Sequence, residues 1–484
     1  MSKLYRIIFT LILIISLSGF FNLNAQSSDC FSIIVGRNAS IDGSVLFAHN
    51  EDDTSPQVVN WYRVPRLRYP ENEKITLAAG GQLPQVAETW SYLWLEMPGM
   101  AFSDSYLNEW GVTIASDQCR SREKKGELTD GGIGYWLRRI MAERARSARE
   151  AVKIGGQLIE MFGYASSGRS YLIADPKEGW VLAAVQGKHW VAQRVPDDQV
   201  MVIPNYYTIG QIDLADTSQF LGSPDLIEYA RQNGWYDPED EFNFRQVYSD
   251  SLALIEELNT LRMWRGVNLL ANKQYRVEDE FPFAFHPKKK LRLADLMAVL
   301  RDHYEGTEYG LPPNSQPGSP HQPGLHTICA ESNQYGFVAQ LRASLPVEVG
   351  AVLWLAPRRP DTQAFIPWYL GIEKIPTGYA RGTYQTALRD HFQPPEDIFT
   401  PDPKLAFWAF VQLAENVDED FAHRIQPVRE KMNEFENSLL NAQPGFEKKV
   451  LNTFKKSPVA ARKMLTEYTA RAAQEAWDLT KSLE

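Results

Sequence analysis

Cysteine is scarce in this chain: 484 residues carry three, Cys30, Cys119 and Cys329. Three scattered cysteines exclude the disulfide framework of a small secreted scaffold, and an odd count leaves at least one thiol to be explained. Excess positive charge is missing as well. The formal net charge is −10, so nucleic acid is not an expected partner. After Ala25 no apolar run approaches the roughly 18–20 residues that a membrane-crossing helix needs. Familiar hydrolase signatures are absent too. There is no His-Glu-x-x-His helix, no Gly-x-Ser-x-Gly elbow and no phosphate-cradling Gly-x-x-x-x-Gly-Lys loop. The eight histidines are dispersed, without the paired spacing of a metal site, and no metal or organic cofactor is expected.

What is present is an ordinary globular composition, 44% hydrophobic and 23% charged, with a sizeable core implied. Lys3 and Arg6 precede the apolar run Ile7 to Phe21, and Ala25 offers a small residue for cleavage. This pattern predicts a secretory signal peptide over 1–25, an exported protein, periplasmic or secreted, and no stable membrane insertion after cleavage.

From Cys30 onward, apolar and β-branched runs predict strands at Cys30 to Gly36 and Ser44 to Asn50, joined by a turn at Asp42-Gly43. Further strands are predicted at Ser91 to Met97, Gly111 to Ser116, Tyr171 to Ala174, Trp180 to Gln186, His189 to Val195, Tyr335 to Arg342 and Gly350 to Ala356. Apolar residues spaced three and four apart predict helices over Ile133 to Ser147 and Ala148 to Phe162. Residues 210–325 are rich in Pro, Asp, Asn and Tyr and read as an insertion. Residues 401–484 read as a helical C-terminal extension, broken near Pro427, Pro444 and Pro458. Hairpins with helix pairs between them imply an α+β layered fold.

Cys30 is conspicuous by position, five residues beyond the cleavage site and at the start of a strand. Removal of the leader 26–29 would place its thiol beside its own α-amine. That amine, with an ordinary pKa of about 7.7–8.0, can take a thiol proton near neutral pH. Position alone leaves open the reading of Cys30 as a small buried hydrophobe. Cys119 and Cys329 read as packing thiols, and Gln118 reads equally as a site-lining residue or a surface-loop residue.

The run from Cys30 to Asp52 resembles the opening of the dipeptidase A and secernin group of N-terminal-nucleophile (Ntn) hydrolases. The likeness continues through Asn108-Glu109-Trp110-Gly111-Val112, Arg144 to Val152 and Gly187 to Asp198. It reappears at Val338-Ala339-Gln340-Leu341-Arg342, Leu345-Pro346 and Ile366 to Gly371. The resemblance implies a four-layer αββα sandwich over residues 30–400, an autocatalytically removed leader and a small peptide substrate, with a homo-oligomer left open. It implies Cys30 as nucleophile, Asp52 as the carboxylate that holds the α-amine, and Asn205 as an oxyanion donor. His49 departs from the pattern, since the related enzymes commonly carry Arg three residues before the aspartate. A histidine there would make the positive charge near the nucleophile depend on pH, and His49 is expected to contact substrate, with a structural strand histidine as its equal alternative. Arg342 is a second candidate, for a substrate carboxylate, with an ordinary ion pair as its alternative. Two rivals to a cysteine dipeptidase remain: hydrolysis of a non-peptide amide such as a bile-salt conjugate, and a catalytically silent binding protein of the same fold.

Overall fold

The computed structural model describes residues 30–53, 57–310, 319–321 and 326–484. The expected signal peptide (1–25) and leader (26–29) lie outside the described residues. Fourteen strands of the described residues build two antiparallel sheets. In chain order they are β1 (Phe31–Val35), β2 (Val45–Asp52), β3 (Asn60–Val64), β4 (Tyr92–Glu96), β5 (Ser105–Asn108), β6 (Thr113–Gln118), β7 (Arg169–Ala174), β8 (Gly179–Ala184), β9 (Trp190–Val195), β10 (Val200–Ile203), β11 (Phe220–Gly222), β12 (Asn333–Leu341), β13 (Ala351–Pro357) and β14 (Ile366–Tyr369). The first sheet runs β10-β1-β2-β12-β13-β14 and the second β11-β9-β8-β7-β6-β5-β4-β3. The β1–β2 hairpin turns where the sequence predicts it. Gly43 takes φ +74°, a conformation that costs glycine little, and Asp42 Oδ1 accepts from Ser44 N (3.1 Å).

Period-two alternation sorts the side chains into layers. Leu172, Ala174, Val181 and Ala183 of the second sheet join the core shared with the first. Their neighbours Tyr171, Ile173, Trp180 and Leu182 face the other way, onto helices α1 (Trp136–Arg144) and α2 (Ala148–Phe162). On the far face of the first sheet, α3 (Glu257–Leu270) packs against β10 and α4 (Leu293–Leu300) against β2 and β12. Asn50 marks this outer face by donating to Leu300 O of α4 (3.0 Å). The protein is thus an α+β, four-layer αββα sandwich.

Two expectations change. Residues 210–325, read as an insertion, supply the outer layer itself, because Val267, Leu270, Met297 and Leu300 are part of the main core. The predicted breaks at Pro427 and Pro444 do not occur. The C-terminal part forms α5 (Ala406–Glu419), α6 (Phe421–Phe454) and α7 (Pro458–Leu483), and α6 runs through both prolines. An internal proline costs a helix about 3 kcal/mol, but α6 buries Ile425, Val428, Met432, Leu439 and Val450. Burying each such side chain returns about 1.5–3 kcal/mol. Pro458 alone marks a boundary, at the first turn of α7, where Ser457 Oγ caps Ala460 N (3.2 Å). No helix among the described residues is long and apolar enough to cross a membrane.

Candidate active site

Cys30 is the residue before β1 and is buried. Because β1 pairs antiparallel with β2, Ser32 lies opposite His49. Cys30, Ser32, His49 and Glu51 therefore share the face that looks between the sheets. The thiol approaches Glu51 Oε1 (3.5 Å) and the backbone oxygen of Asp52 (3.7 Å). Glu51 Oε2 lies 3.0 Å from His49 Nε2, and His49 Nδ1 lies 2.8 Å from Ser32 Oγ. Asp117, from the facing strand β6, sits 3.7 Å from His49 Nδ1.

Burial dominates the electrostatics here. It pushes the Cys30 thiol well above its ordinary range, reinforced by the charges of Glu51, Asp117 and Asp52. It also pushes Glu51 up, against the pull of Arg138 and Arg169, and lowers His49 to about 4. Asp117 is raised to about 7 by burial, with His49 and Ser32 pulling the other way. Near neutral pH Cys30 therefore keeps its thiol proton and His49 is a neutral imidazole, with Glu51 held well above the ordinary carboxylate range between them. The Cys30 S–H donates to Glu51 Oε1, and the two ring nitrogens of His49 are hydrogen-bonded to Glu51 Oε2 and Ser32 Oγ. This corrects the expectation of a pH-dependent positive charge at His49. Both ring nitrogens are committed to neighbours, and the ring charges only in acid.

The outer helix α3 closes the site from the other side. Gly266 lets it approach, since a Cβ there would stand 2.6 Å from the Phe31 ring. One turn earlier, on the same helix face, Arg262 donates from Nη1 to the backbone oxygen of Cys30 (3.0 Å) and from Nη2 to Asn205 Oδ1 (2.9 Å). Asn259 Oδ1 accepts from Asn205 N (3.2 Å). Asn205 is thereby pinned by its carbonyl and by its backbone, and its buried Nδ2 has no hydrogen-bond partner among the described residues. An uncommitted buried donor costs about 1–3 kcal/mol, a cost that a bound acceptor would relieve. Asp52 ends β2, where its Oδ1 accepts from Ser332 Oγ and Asn333 Nδ2, each at 2.7 Å.

Cys30, His49, Asp52 and Asn205 thus come together, whereas Arg342 does not. It follows the last residue of β12, and that strand pairs Asn333 with Asp52 at one end and Leu341 with Val45 at the other. At about 3.4 Å per residue, Arg342 stands roughly 30 Å from the site. Its guanidinium is held in the fork of Glu447 (2.7 Å twice), so the ion-pair alternative holds and the substrate-carboxylate assignment is withdrawn. Gln118 ends β6 and donates to Ser167 Oγ (3.3 Å).

Glu51, Asp117 and Arg262 were not singled out by sequence. The first two had a signal in period-two alternation, Glu51 two residues after His49 and Asp117 two after the core residue Ala115. Arg262 had none, because it lies in the segment read as an insertion.

Comparisons with known proteins give the family. The signature of Peptidase family C69 matches residues 122–433. The chain is 28% identical over 380 residues to the probable dipeptidase B of Lactococcus lactis, covering 75% of this chain and 79% of that protein. It is 27% identical over 358 residues to a probable dipeptidase of Latilactobacillus sakei, covering 71% and 74%. Among solved structures, penicillin V acylase from Agrobacterium tumefaciens is similar at a TM-score of 0.33 and 13% identity, covering 68% of this chain and 86% of that one.

Proposed function

The chain belongs to Peptidase family C69, and from that premise we propose that it is an exported dipeptidase whose nucleophile is Cys30, made N-terminal by removal of residues 1–29. The observation that carries this reading is the Arg262 fork, which holds the Cys30 carbonyl and the Asn205 side chain in one fixed relation. The buried thiol is protonated, so attack on a substrate carbonyl needs a base at the moment of reaction. In this reading the freed α-amine of Cys30 takes the proton, steadied by Asp52. Asn205 Nδ2 donates to the oxyanion. The amine then passes its proton to the leaving amine, and water releases the acyl-enzyme. The relatives named as dipeptidases support a small unblocked peptide as substrate.

Intact mass and N-terminal sequencing test the reading directly. The native protein is expected to begin at Cys30 and to hydrolyse unblocked dipeptides, and alkylation mapped to Cys30 is expected to abolish that activity. Cys30→Ala is expected to keep residues 26–29. Efficient loss of those residues in the mutant would refute self-processing, and a fully active protein beginning at Gln26 would refute the mechanism.

A further inference from the structure

A second buried cluster lies beyond the residues used above. His303 follows α4, His321 belongs to the short described segment 319–321, Cys329 precedes β12 and Asp361 follows β13. All four are buried, and one nitrogen, sulfur or oxygen atom from each lies within 4.8 Å of every other. The Nε2 atoms of the two histidines are 3.1 Å apart, and Asp361 Oδ2 stands 3.6 Å from one and 3.8 Å from the other. A tetrahedral zinc site with Zn–N and Zn–O of about 2.0–2.1 Å and Zn–S of about 2.3 Å has ligand–ligand edges of about 3.3–3.8 Å. The three edges among His303, His321 and Asp361 lie within about half an ångström of these values, and Cys329 Sγ lies within 4.8 Å of each of the three atoms.

The surroundings orient these atoms as ligands. His321 Nδ1 faces Asp418 Oδ1 (2.8 Å) and His303 Nδ1 faces Glu305 Oε1 (3.1 Å). A carboxylate on Nδ1 places the proton there and leaves Nε2 as a bare acceptor. Asp361 Oδ1 accepts from Arg359 Nε (2.8 Å), while its Oδ2, close to both rings, has no hydrogen-bond partner among the described residues. Arg429 Nη2 also reaches His303 Nδ1 (3.2 Å), the contact that a metal-free hydrogen bond between the rings would use. That pairing still leaves Asp361 Oδ2 without a donor. A dication would complete the charge balance once Cys329 has lost its proton. Arg359 and Arg429 offset Asp418 and Glu305, leaving the negative charges of Asp361 and a Cys329 thiolate for the ion to neutralise.

We propose that His303, His321, Cys329 and Asp361 bind one zinc ion through four protein ligands, a structural site with no open coordination position. Binding forms the zinc–sulfur bond and releases the Cys329 thiol proton to solvent. A thiolate with two imidazoles selects zinc over magnesium or calcium. The ion would tie His303, His321 and Asp361 to the turn before β12. There Asn50 Nδ2 donates to Ile328 O (2.8 Å), and Ser332 and Asn333 hold Asp52.

The test is metal analysis of the full chain, expressed with zinc supplied, then stripped and reloaded with Co2+. Wild type is expected to carry about one zinc per chain, and the cobalt form to show tetrahedral d–d bands with a sulfur-to-cobalt charge-transfer band. Cys329→Ser, checked for fold by circular dichroism, is expected to lose the charge-transfer band, while Cys30→Ser keeps it. Asp418→Asn leaves every ligand in place and is expected to weaken zinc binding about 10- to 100-fold. A folded wild type that takes up no zinc on titration, a cobalt form without the charge-transfer band, or loss of that band in Cys30→Ser instead would each overturn the proposal.

Discussion

Among the described residues the Cys30 cluster keeps the buried donor Asn205 Nδ2 uncommitted, and burial, reinforced by nearby acidic side chains, holds the proton on its sulfur. The cluster around His303 does the reverse. Its inner atoms converge on one another, and its outer atoms are fixed by Asp418, Glu305 and Arg359. Both reach the turn that leads into β12, one through Asp52 on Ser332 and Asn333, the other through Cys329. An open donor beside a protonated thiol suits a group that arrives and leaves with each turnover. A closed set of acceptors suits an ion that stays. Polar burial therefore takes two different forms within a few residues of chain.

The contrast breaks most sharply at the two thiols. Cys30→Ala is expected to lower dipeptide hydrolysis by at least about 1,000-fold, since removing a nucleophile disables the whole relay, and to leave metal content unchanged. Cys329→Ser is expected to act on metal content and thermal stability instead. If Cys30→Ala lost its metal, or kept its activity, the two clusters could not be separated in this way.

Asn205→Ala comes next. Loss of one oxyanion donor typically costs about 100- to 1,000-fold in kcat, and KM is expected to change little because the contact strengthens only as charge develops. An equal loss carried by KM alone would assign Asn205 to substrate binding. Arg262→Lys is milder and sharpens the same point. Lysine keeps the positive charge but lacks the fork that reaches the Cys30 carbonyl and Asn205 Oδ1 together. Misplacement by about 1 Å can cost about 100-fold, so a fall in kcat of about 10- to 100-fold is expected. A wild-type rate in Arg262→Lys would show that charge alone suffices.

How far these residues could be read from sequence follows from how each is placed. Cys30 stood out because a signal-peptide pattern and a strand start frame it, and the β1–β2 hairpin was legible because Asp42-Gly43 sits between two apolar runs. Asp52 and Asn205 came with the resemblance, not with any spacing of their own. Glu51 was hidden among Glu51-Asp52-Asp53, which reads as a solvated turn until β2 is seen to run to Asp52, buried throughout. Arg262 was hidden by composition, because a segment rich in Pro, Asp and Asn looks appended even when its helices form a layer. The zinc ligands were least legible of all. They come from four separate segments with no repeated interval, and only the folding of those segments onto one point makes dispersed histidines a cluster.

The smallest effect concerns protons. His49 and Asp117 are neighbours whose burial moves them in opposite directions, His49 down to about 4 and Asp117 up to about 7. Against unfolded values of about 6.5 and 3.9, the signs differ. Folded His49 holds fewer protons than the unfolded residue, so its contribution to stability is lost as pH falls from about 6.5 towards 4. Folded Asp117 holds more, so its contribution is complete in acid and lost as pH rises towards about 7. Asp117→Asn is therefore expected to become more stable relative to wild type as pH rises through that window, read as the difference in urea midpoint. Activity follows the same charge. Once ionised, Asp117 raises the Cys30 thiol further and makes its proton harder to remove. The ratio of kcat/KM for Asp117→Asn over wild type is thus expected to climb about threefold or more as pH passes about 7. The ratio also cancels the titration of the α-amine, which both proteins share. His49→Gln is expected to leave the step near neutral pH in place, because the histidine has already lost its proton there. A ratio for Asp117→Asn that stayed flat from about pH 5 to about pH 9 would remove Asp117 from the proton balance of the site.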